Sequence, residues 1–378
     1  MVQISLTKKG IFVLVVGAVT FVLFLLSNGA SPSSRADYEI NPDVVSVRSI
    51  FVAVVSAVEE AGSAIKKMHN LSMGHLKSRT KSSLLKLDTS SGATSQEVVT
   101  EADLVSGYCI VRRLKLLRPD ISSQVRSEER ELPSHSALAV AMASSLSDTE
   151  AAERRRVLLS QLREQDLFLH LRQLSFWVDP LDATQEFSEN LLQYVSVMVC
   201  ASIHGEPVFG VVHFPFLNST YWTSMGGQLS VNLQNVPGAV NRPTTPVRVL
   251  VSRSHTAPHL GDKVQEAFGP TPIEIIPAGG SGYKLIELAL GNADLYIHVG
   301  GARRWDLCAP SAILHARGGV VRTMADTTRG FQFSPNDPDA IDDHSGVFAA
   351  ASRSLFDKWA PTVARLYRST FLSPPTKL

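Results

Sequence analysis

The sequence predicts a protein of mixed class, an α+β unit followed by an α/β unit, behind an apolar N-terminal segment. Residues 47–234 show helical patterns first and then β-rich segments joined by hairpin signals, which favours antiparallel pairing. Beyond the proline-rich stretch 235–246, β-rich and helical segments alternate. The 378 residues are enough for two or three domains. With 36 basic and 35 acidic residues, the chain has no excess charge that would indicate a nucleic-acid partner.

The N-terminal segment is Gly10 to Leu26, an uncharged and almost wholly apolar run. As a helix it would span about 26 Å, close to the thinner bilayers of the early secretory route. Lys8 and Lys9 precede it, so the positive-inside rule keeps residues 1–9 in the cytosol as a short tail. We therefore predict a transmembrane signal anchor, a short lumenal stem over 27–45, and a lumenal body in a single-pass type II arrangement.

A cleaved signal peptide is the alternative, with Ser27 and Gly29 as small residues before the cut. We favour the uncleaved anchor because the apolar run is longer than a usual signal core. Two N-glycosylation acceptor sequences, 70–72 (Asn-Leu-Ser) and 218–220 (Asn-Ser-Thr), agree with a lumenal glycoprotein.

The three cysteines, Cys109, Cys200 and Cys308, each fall within an apolar pattern. Three cysteines are too few for a disulfide framework, and no Cys/His cluster with zinc spacing accompanies them. We therefore expect three buried free thiols.

The elements of the first unit, residues 46–240, follow from periodicity and turn signals. Apolar residues recur at helical spacing after residue 47, and β-rich runs flank the His204-Gly205 turn. The unit is expected to contain helices over 47–65 and 100–118, a strand over 121–126, a helical insertion over 135–173, and strands over 176–178, 194–202, 207–214 and 220–223.

The second unit, residues 241–378, is expected to alternate strands and helices. The expected strands cover 247–252, 273–276, 293–299, 320–323 and 347–350, and the expected helices cover 257–268, 283–290, 306–316 and 355–367. Pro310 is expected in the first turn of its helix, where a missing N–H is tolerated.

The stretch most informative about chemistry is 177–184, with the sequence WVDPLDAT. A strand delivers Asp179 at its end, Pro180 forces a turn, and Asp182 and Thr184 follow where a helix could begin. Two carboxylates separated by a rigid turn can converge on one point, and their hard oxygens suit Mg²⁺. Taken alone, such a pattern more often means that Asp182 caps a helix and Asp179 is a turn residue.

Two further acidic blocks change that balance, because they also lie at element boundaries. Ser127-Glu128-Glu129 follows an expected strand, and Trp305-Asp306 begins an expected helix. In order and spacing, these three blocks resemble the signature of the lithium-sensitive, magnesium-dependent inositol monophosphatase-like superfamily. The segments WVDPLDATQEF, VSRSH, IPAGGSGYK and ADLYIHV resemble its Golgi-resident 3′-phosphoadenosine 5′-phosphate phosphatase branch, over about residues 47–350.

The resemblance implies a layered αβαβα sandwich of the sugar phosphatase type and a phosphomonoesterase that uses two or more Mg²⁺ ions and is inhibited by lithium. A homodimer is usual in that superfamily. The metal ligands that the resemblance implies are Glu128, Asp179, Asp182, Asp306 and the backbone carbonyl of Leu181. The implied catalytic residues are Thr184, Glu128 and Asp103, which would orient and activate the attacking water. The implied substrate contacts are Ala183, Thr184, His255, Ser281, Lys284 and Asp306.

Several of these residues have an ordinary structural alternative. Lys284 could be a solvated surface charge, Ser281 a turn residue, and His255 a loop histidine. Glu129 is more readily an acid behind the metal ligands, or a solvent-facing acid, than a ligand. His298 could lie in the core or in a cleft. Arg303 and Arg304 would by default be a solvated pair, although near an anionic ligand they could steer it.

The activity that the resemblance implies is Mg²⁺-dependent removal of the 3′-phosphate of adenosine 3′,5′-bisphosphate, which gives AMP and phosphate. In the Golgi lumen this reaction would support sulfation. The alternatives are an inositol phosphate phosphatase of the same fold and a membrane-anchored pseudophosphatase that binds without turnover.

Overall fold

The computed structural model describes residues 43–72, 79–80, 98–99, 101–129, 148–236, 245–254, 259–335 and 344–371. Residues Val45–Leu378 constitute one compact unit. The predicted anchor at 10–26, the boundary near 240 and His255 lie outside the described residues. Within the described part of the chain, no helix has the length and apolar content that crossing a membrane requires.

The helices and strands of the described residues are numbered here in chain order. The helices are α1 (Val47–Ser72), α2 (Glu101–Leu117), α3 (Asp148–Gln161), α4 (Thr184–Ser188), α5 (Val231–Gln234), α6 (Leu260–Phe268), α7 (Ser281–Leu290), α8 (Arg304–Ala316) and α9 (Arg353–Phe371). The strands are β1 (Val44–Ser46), β2 (Arg79–Thr80), β3 (Val98–Val99), β4 (Val125–Ser127), β5 (Phe168–His170), β6 (Leu174–Asp182), β7 (Ser196–Ile203), β8 (Glu206–Phe214), β9 (Ser219–Thr223), β10 (Val247–Ser252), β11 (Ile273–Ala278), β12 (Leu295–His298), β13 (Val320–Thr323) and β14 (Val347–Ala350).

The first large sheet has five strands in the order β4-β6-β7-β8-β9. β4 runs parallel to β6, and the remaining neighbours are antiparallel, as the hairpin signals predict. Every residue of β6 is buried. A strand that is buried on both faces needs a layer on each side of the sheet, and helices supply both layers.

The second sheet also has five strands, in the order β11-β10-β12-β14-β13. β10 is parallel to β11 and β12, whereas β14 is antiparallel to β12 and β13. The sheet is therefore mixed. Helical crossovers connect its parallel half, and the antiparallel half lies beyond α8 in the chain.

The elements stack in the αβαβα order that the resemblance implies. α1 and α2 cover the outer face of the first sheet, α7 and α8 lie between the two sheets, and α6 and α9 cover the outer face of the second. One apolar core joins α1 and α2 to the first sheet, with Phe51 edge-on to Phe209 at 5.4 Å between ring centroids. The other core surrounds α7 and α8 and extends to α9.

Three local predictions are wrong. Residues Pro119–Gln124 form a 3₁₀ turn, and only Val125–Ser127 is a strand, because Pro119 fixes its φ angle and has no N–H. The described part of the insertion includes a helix, Asp148–Gln161, and then a strand, Phe168–His170. Pro310 lies in the second turn of α8, since that helix begins at Arg304.

The expectation of three free thiols is also wrong. Cys200 on β7 and Cys308 on α8 form a disulfide with their Cα atoms 5.7 Å apart, within the usual range for this bond. Each cysteine fits its own apolar pattern, and that pattern carries no information about which residue of another element it faces. Cys109 is a buried free thiol, and burial, with Glu60 nearby, raises its pKa to about 12.

Candidate active site

The candidate site begins where β6 loses regular pairing with β7. Regular register is interrupted between Asp179 and Asp182, the stretch that contains Pro180, which has no N–H to donate. The irregular segment is fixed by two hydrogen bonds: the Leu181 N–H donates to Asp179 Oδ1 at 3.1 Å, and Ser106 Oγ donates to the Pro180 carbonyl at 2.6 Å. The predicted turn is therefore an irregular extension of the strand, and Asp179 itself is buried.

Ala183 turns the chain from β6 into the short helix α4. Its φ of 68° lies in the left-handed region, which is uncommon for a residue with a side chain and is typical of functional sites. The turn places Thr184 Oγ1 3.0 Å from the Leu181 carbonyl and 3.2 Å from Asp103 Oδ1. Asp103 lies in the first turn of α2 and is only 2% exposed.

Glu128 reaches the same place from β4. The Ser127–Val178 register pairs the end of β4 with β6, and the Glu128 N–H donates to the Val178 carbonyl at 3.1 Å. Glu128 is therefore anchored by its backbone beside the residue that precedes Asp179. Glu129, the neighbouring acid, is buried rather than solvent-facing.

Asp182 holds the start of α7. Its Oδ1 accepts a hydrogen bond from the Ser281 N–H at 3.2 Å, and its Oδ2 accepts from the Gly282 N–H at 2.8 Å and from Ser196 Oγ at 3.2 Å. A Cβ on Gly282 would lie 2.5 Å from Ser196 Oγ, so only glycine allows this approach. Asp182 does act as a helix cap, but it caps a helix about one hundred residues further along the chain.

Asp306 lies in the first turn of α8, between α7 and the first sheet. Its Oδ2 accepts from the Arg303 N–H at 3.0 Å, and its backbone carbonyl accepts from Ser281 Oγ at 3.1 Å. In a regular helix that carbonyl would accept from the residue four positions on, which here is Pro310 and has no N–H. Ser281 therefore connects Asp182 and Asp306.

Comparison with known proteins shows the family of the chain. Residues 47–366 match the inositol monophosphatase family. The chain belongs to the inositol monophosphatase family. A putative inositol monophosphatase 3 from Drosophila melanogaster is 32% identical, over 82% of this chain and 81% of that protein. A Golgi-resident adenosine 3′,5′-bisphosphate 3′-phosphatase from Rattus norvegicus is 30% identical, over 81% of this chain and 79% of that protein.

Solved structures show the same fold at lower identity. The superposition on the extragenic suppressor protein suhB from Bartonella henselae covers 83% of this chain and 98% of that chain, with a TM-score of 0.57 and 16% sequence identity. The superposition on CysQ from Bacteroides thetaiotaomicron covers 81% of this chain and 98% of that chain, with a TM-score of 0.52 and 21% sequence identity. Family membership makes this chain a phosphatase of small phosphate esters and supports a divalent metal cofactor.

The acids of this family member lie close enough to raise one another's pKa. Burial raises the pKa of Asp179 well above its usual range, and the charges of Glu128, Asp182, Asp306 and Asp103 add to that shift, in decreasing order. Burial and the charge of Glu128 raise the pKa of Asp306 to about 8. A buried carboxylate cluster of this kind is unfavourable without a positive partner.

Lys284 supplies one such charge from inside the protein. It is 2% exposed, its Nζ lies 3.4 Å from the Ala278 carbonyl, and it faces the Tyr296 ring at 5.2 Å. Burial lowers its pKa to about 8, and the nearby charges of Asp182, Glu186 and Asp306 oppose that shift. The solvated alternative for Lys284 is therefore wrong, and the burial of Arg304 excludes the solvated Arg303–Arg304 pair as well.

The donor chemistry fits a hard divalent cation. Carboxylate and carbonyl oxygens are what Mg²⁺ prefers, and a cation would relieve the repulsion that raises the pKa of Asp179 and Asp306. In the described residues, no three acidic, histidine or cysteine side chains converge tightly enough to hold a metal ion as they stand.

Sequence reasoning missed two hydroxyl groups that hold the cluster in place. Ser106 fixes the Pro180 carbonyl, and Ser196 fixes Asp182. Ser106 lies three residues after Asp103 and so on the same face of α2, which is a signal that could have found it. Ser196 lies within a β-rich run, and no sequence signal distinguishes it. His298 is a core residue, whose Nε2 donates to the Gly301 carbonyl at 3.1 Å.

Proposed function

We propose that this chain is a Mg²⁺-dependent phosphomonoesterase that removes the 3′-phosphate of adenosine 3′,5′-bisphosphate, giving AMP and phosphate. The observation that carries the proposal is the cluster of Asp103, Glu128, Asp179, Asp182 and Asp306, drawn from four separate parts of the chain and raising the pKa of its buried members. Asp182 and Asp306 are linked at the start of α7, because Ser281 donates a hydrogen bond to each of them.

The residues that would hold Mg²⁺ are Glu128, Asp179, Asp182, Asp306 and the Leu181 carbonyl. When bound, the metal ions would neutralise the phosphate charge and lower the pKa of a coordinated water. We assign the remaining work to Thr184 and Asp103. The Thr184 hydroxyl has one proton, and when it donates that proton to Asp103 its lone pairs can accept from the attacking water. We assign to Glu128 and Asp103 the uptake of the water proton.

Ser281, Lys284, Ala183 and His255 are the proposed substrate contacts. The contacts of Ser281 and Lys284 support a second role in positioning the site, since Ser281 binds Asp306 and Lys284 is a buried countercharge. An anionic substrate that approaches these acids would meet a negative charge that the buried Lys284 ammonium already partly balances.

The nucleotide substrate is supported by relatives named Golgi-resident adenosine 3′,5′-bisphosphate 3′-phosphatase at 30% identity. Relatives named inositol monophosphatase 3, at 32% identity, favour an inositol phosphate as a second candidate. A non-catalytic binding module is the remaining possibility, and the presence of every proposed acid counts against it.

The proposed location is the Golgi lumen, with residues 10–26 as the anchor. The names of the 30%-identical relatives support it, and so does Asn218, an acceptor asparagine that is exposed in the tight turn between β8 and β9. Glycosidase treatment of the protein from secretory cells should shift its electrophoretic mobility. The shift should be smaller in Asn218→Gln and absent when Asn70→Gln is added.

A substrate panel tests the proposed reaction. Phosphate release by the detergent-solubilised full chain is measured with adenosine 3′,5′-bisphosphate, phosphoadenosyl sulfate and inositol monophosphates, with and without Mg²⁺. We expect the highest kcat/KM for the bisphosphate and none after chelation. Preference for an inositol phosphate would select the second candidate, and no release with Mg²⁺ would select the binding module.

The metal assignment is tested by a pair of matched substitutions. Asp179→Asn removes the charge of a buried acid in the cluster and should abolish turnover. Asp262→Asn makes the same change on α6, where the side chain is 85% exposed, and should leave kcat/KM unchanged. Full turnover by Asp179→Asn would contradict the assignment.

A further inference from the structure

The helix that carries Asp306 is joined covalently to the first sheet. Cys308 on α8 and Cys200 on β7 form a disulfide across a sequence separation of 108 residues, and both side chains are fully buried. Cys308 follows Asp306 by two residues, so the bond lies about half a helical turn from the acid.

A close backbone approach lies beside this bond. Gly210 on β8 is the cross-strand partner of Cys200. A Cβ on Gly210 would lie 2.4 Å from the carbonyl oxygen of Ala309, the residue after Cys308. The backbone of α8 therefore lies directly against the sheet at the residue next to the disulfide. These two adjacent contacts, Cys200–Cys308 and Gly210–Ala309, are called here the α8 seat.

The α8 seat restrains a helix that is short of one internal hydrogen bond. Pro310 has no N–H, so the Asp306 carbonyl lacks its regular donor four residues on and accepts a hydrogen bond from Ser281 Oγ. The first turn of α8 is thus held by contacts from outside the helix. Among these, the disulfide is the one covalent contact that the described residues provide.

We propose that the Cys200–Cys308 disulfide positions the Asp306 end of α8 for metal binding, and that the chain reaches this geometry only after oxidation. The positioning part rests on the proposed function, since it takes Asp306 as a metal ligand. Cys200 and Cys308 act as positioning residues, because neither sulfur touches the reacting atoms.

The oxidation is a thiol–disulfide exchange with a small-molecule or protein disulfide. Two cysteine thiols and one external disulfide give the Cys200–Cys308 disulfide and two external thiols, so the external disulfide is reduced as the chain is oxidised. Such exchange goes forward in the oxidising compartments of the secretory route and is opposed by the thiol pool of the cytosol. Because both sulfurs are buried, the bond is protected from reductants once the chain has folded.

The first experiment counts thiols. The full chain is purified without reductant, denatured and alkylated, with and without prior reduction. Its mass is then measured by mass spectrometry to count the alkylated cysteines. One alkylated cysteine before reduction, Cys109, and three after it are the expected result. Three alkylated cysteines without reduction would overturn the proposal, and this experiment needs neither metal nor substrate.

The second experiment measures Mg²⁺ binding by calorimetry in the absence of substrate. Cys200→Ala/Cys308→Ala removes the bond, and Cys200→Val/Cys308→Ala removes it while restoring part of the lost volume. Removing residues that orient metal ligands weakens metal affinity by roughly 10–100-fold. We therefore expect the Mg²⁺ dissociation constant to rise at least roughly ten-fold in whichever double variant folds. Cys109→Ala, which removes a buried thiol away from the α8 seat, should bind Mg²⁺ as the wild type does.

The outcomes separate the two proposals. Wild-type affinity in a folded double variant would show that the disulfide only stabilises the fold, and would overturn the positioning role. A wild-type chain with one free thiol but no Mg²⁺ binding would contradict the proposed function and with it the role of Asp306. If neither double variant folds, wild type produced in a reducing cytosol and purified under reductant replaces them. Its three free thiols are confirmed by mass spectrometry, and Mg²⁺ affinity equal to that of the oxidised chain would overturn the inference.

Discussion

Gly282→Ala should destabilise the protein even though alanine is normally the better helix former. Gly282 is the second residue of α7, where a change to alanine would ordinarily stabilise by about 0.5–1 kcal/mol. Here the added Cβ would lie 2.5 Å from Ser196 Oγ, 2.7 Å from Met198 Sδ and 2.9 Å from Asp182 Oδ2. All three atoms belong to buried side chains, so α7 must move away from Asp182.

The magnitude follows from what that movement breaks. Overpacking of a buried site costs about 1–3 kcal/mol. The hydrogen bond from the Gly282 N–H to Asp182 Oδ2, at 2.8 Å, involves a charged acceptor and contributes about 1.5–3 kcal/mol. These effects overlap, and the helix preference offsets part of them, which leaves a net loss of about 1–2 kcal/mol. For a compact unit of this size, the loss corresponds to roughly 1–3 °C in Tm.

The assay compares two glycines by thermal and urea unfolding. Gly261→Ala is the matched control, because Gly261 also lies at the second position of a helix, α6, and its nearest neighbour would be Ile275 Cδ1 at an ordinary 3.7 Å. We expect Gly261→Ala to be neutral or stabilising and Gly282→Ala to be destabilised, with a raised KM for Mg²⁺. Equal stability of the two variants would refute the account of how α7 is held on Asp182.

Two further predictions concern Thr184 and the acid cluster. Thr184→Val removes the hydroxyl that donates to Asp103 and should lower kcat by about 10²–10⁴-fold with little change in Tm. Thr184→Ser keeps a hydroxyl and should keep most of the activity. Unchanged kcat in the valine variant would exclude a role of Thr184 in orienting water. The metal-free protein should lose stability as pH rises from about 4 towards 8. Burial and the charge of Glu128 raise the pKa of Asp306 to about 8. Between these pH values the folded state therefore binds more protons than the unfolded state, and its stability falls as pH rises. Added Mg²⁺ should restore more of the Tm at pH 8 than at pH 5.5, and a Tm of the chelated protein that rises across this window would contradict the crowding of the acids.

The sequence-based predictions were most successful where periodicity is strong and local. The helix from Val47 and the hairpin around His204-Gly205 have the predicted types, because one face of each element must be buried whatever else the chain does. The strand expected at 121–126 is mostly absent, because its sequence has no strong periodicity. Its apolar residues are few, and the backbone properties of Pro119 decide the local structure.

The acids of the candidate site could be predicted from the sequence, but their contacts could not. Asp103, Glu128, Asp179, Asp182 and Asp306 were all singled out from their motifs, and the structure brings them close enough to perturb one another. Which partner each acid has depends on long-range packing. The same limit applies to Cys200 and Cys308, whose pairing depends on α8 lying across β7 and β8.

Asp182 shows how one side chain can serve the fold and the proposed metal site together. A carboxylate offers about four lone-pair sites. The Ser281 N–H occupies one on Oδ1, and the Gly282 N–H and Ser196 Oγ occupy two on Oδ2. The Ser281 hydroxyl also lies 3.5 Å from Oδ1, but its single proton can instead go to the Asp306 carbonyl at 3.1 Å. When Ser281 donates to Asp306, the second lone pair of Oδ1 is available to a cation. Because the same carboxylate would then hold α7 and the metal, anything that shifts α7 must also change metal affinity, and bound metal must in turn stabilise the seating of α7.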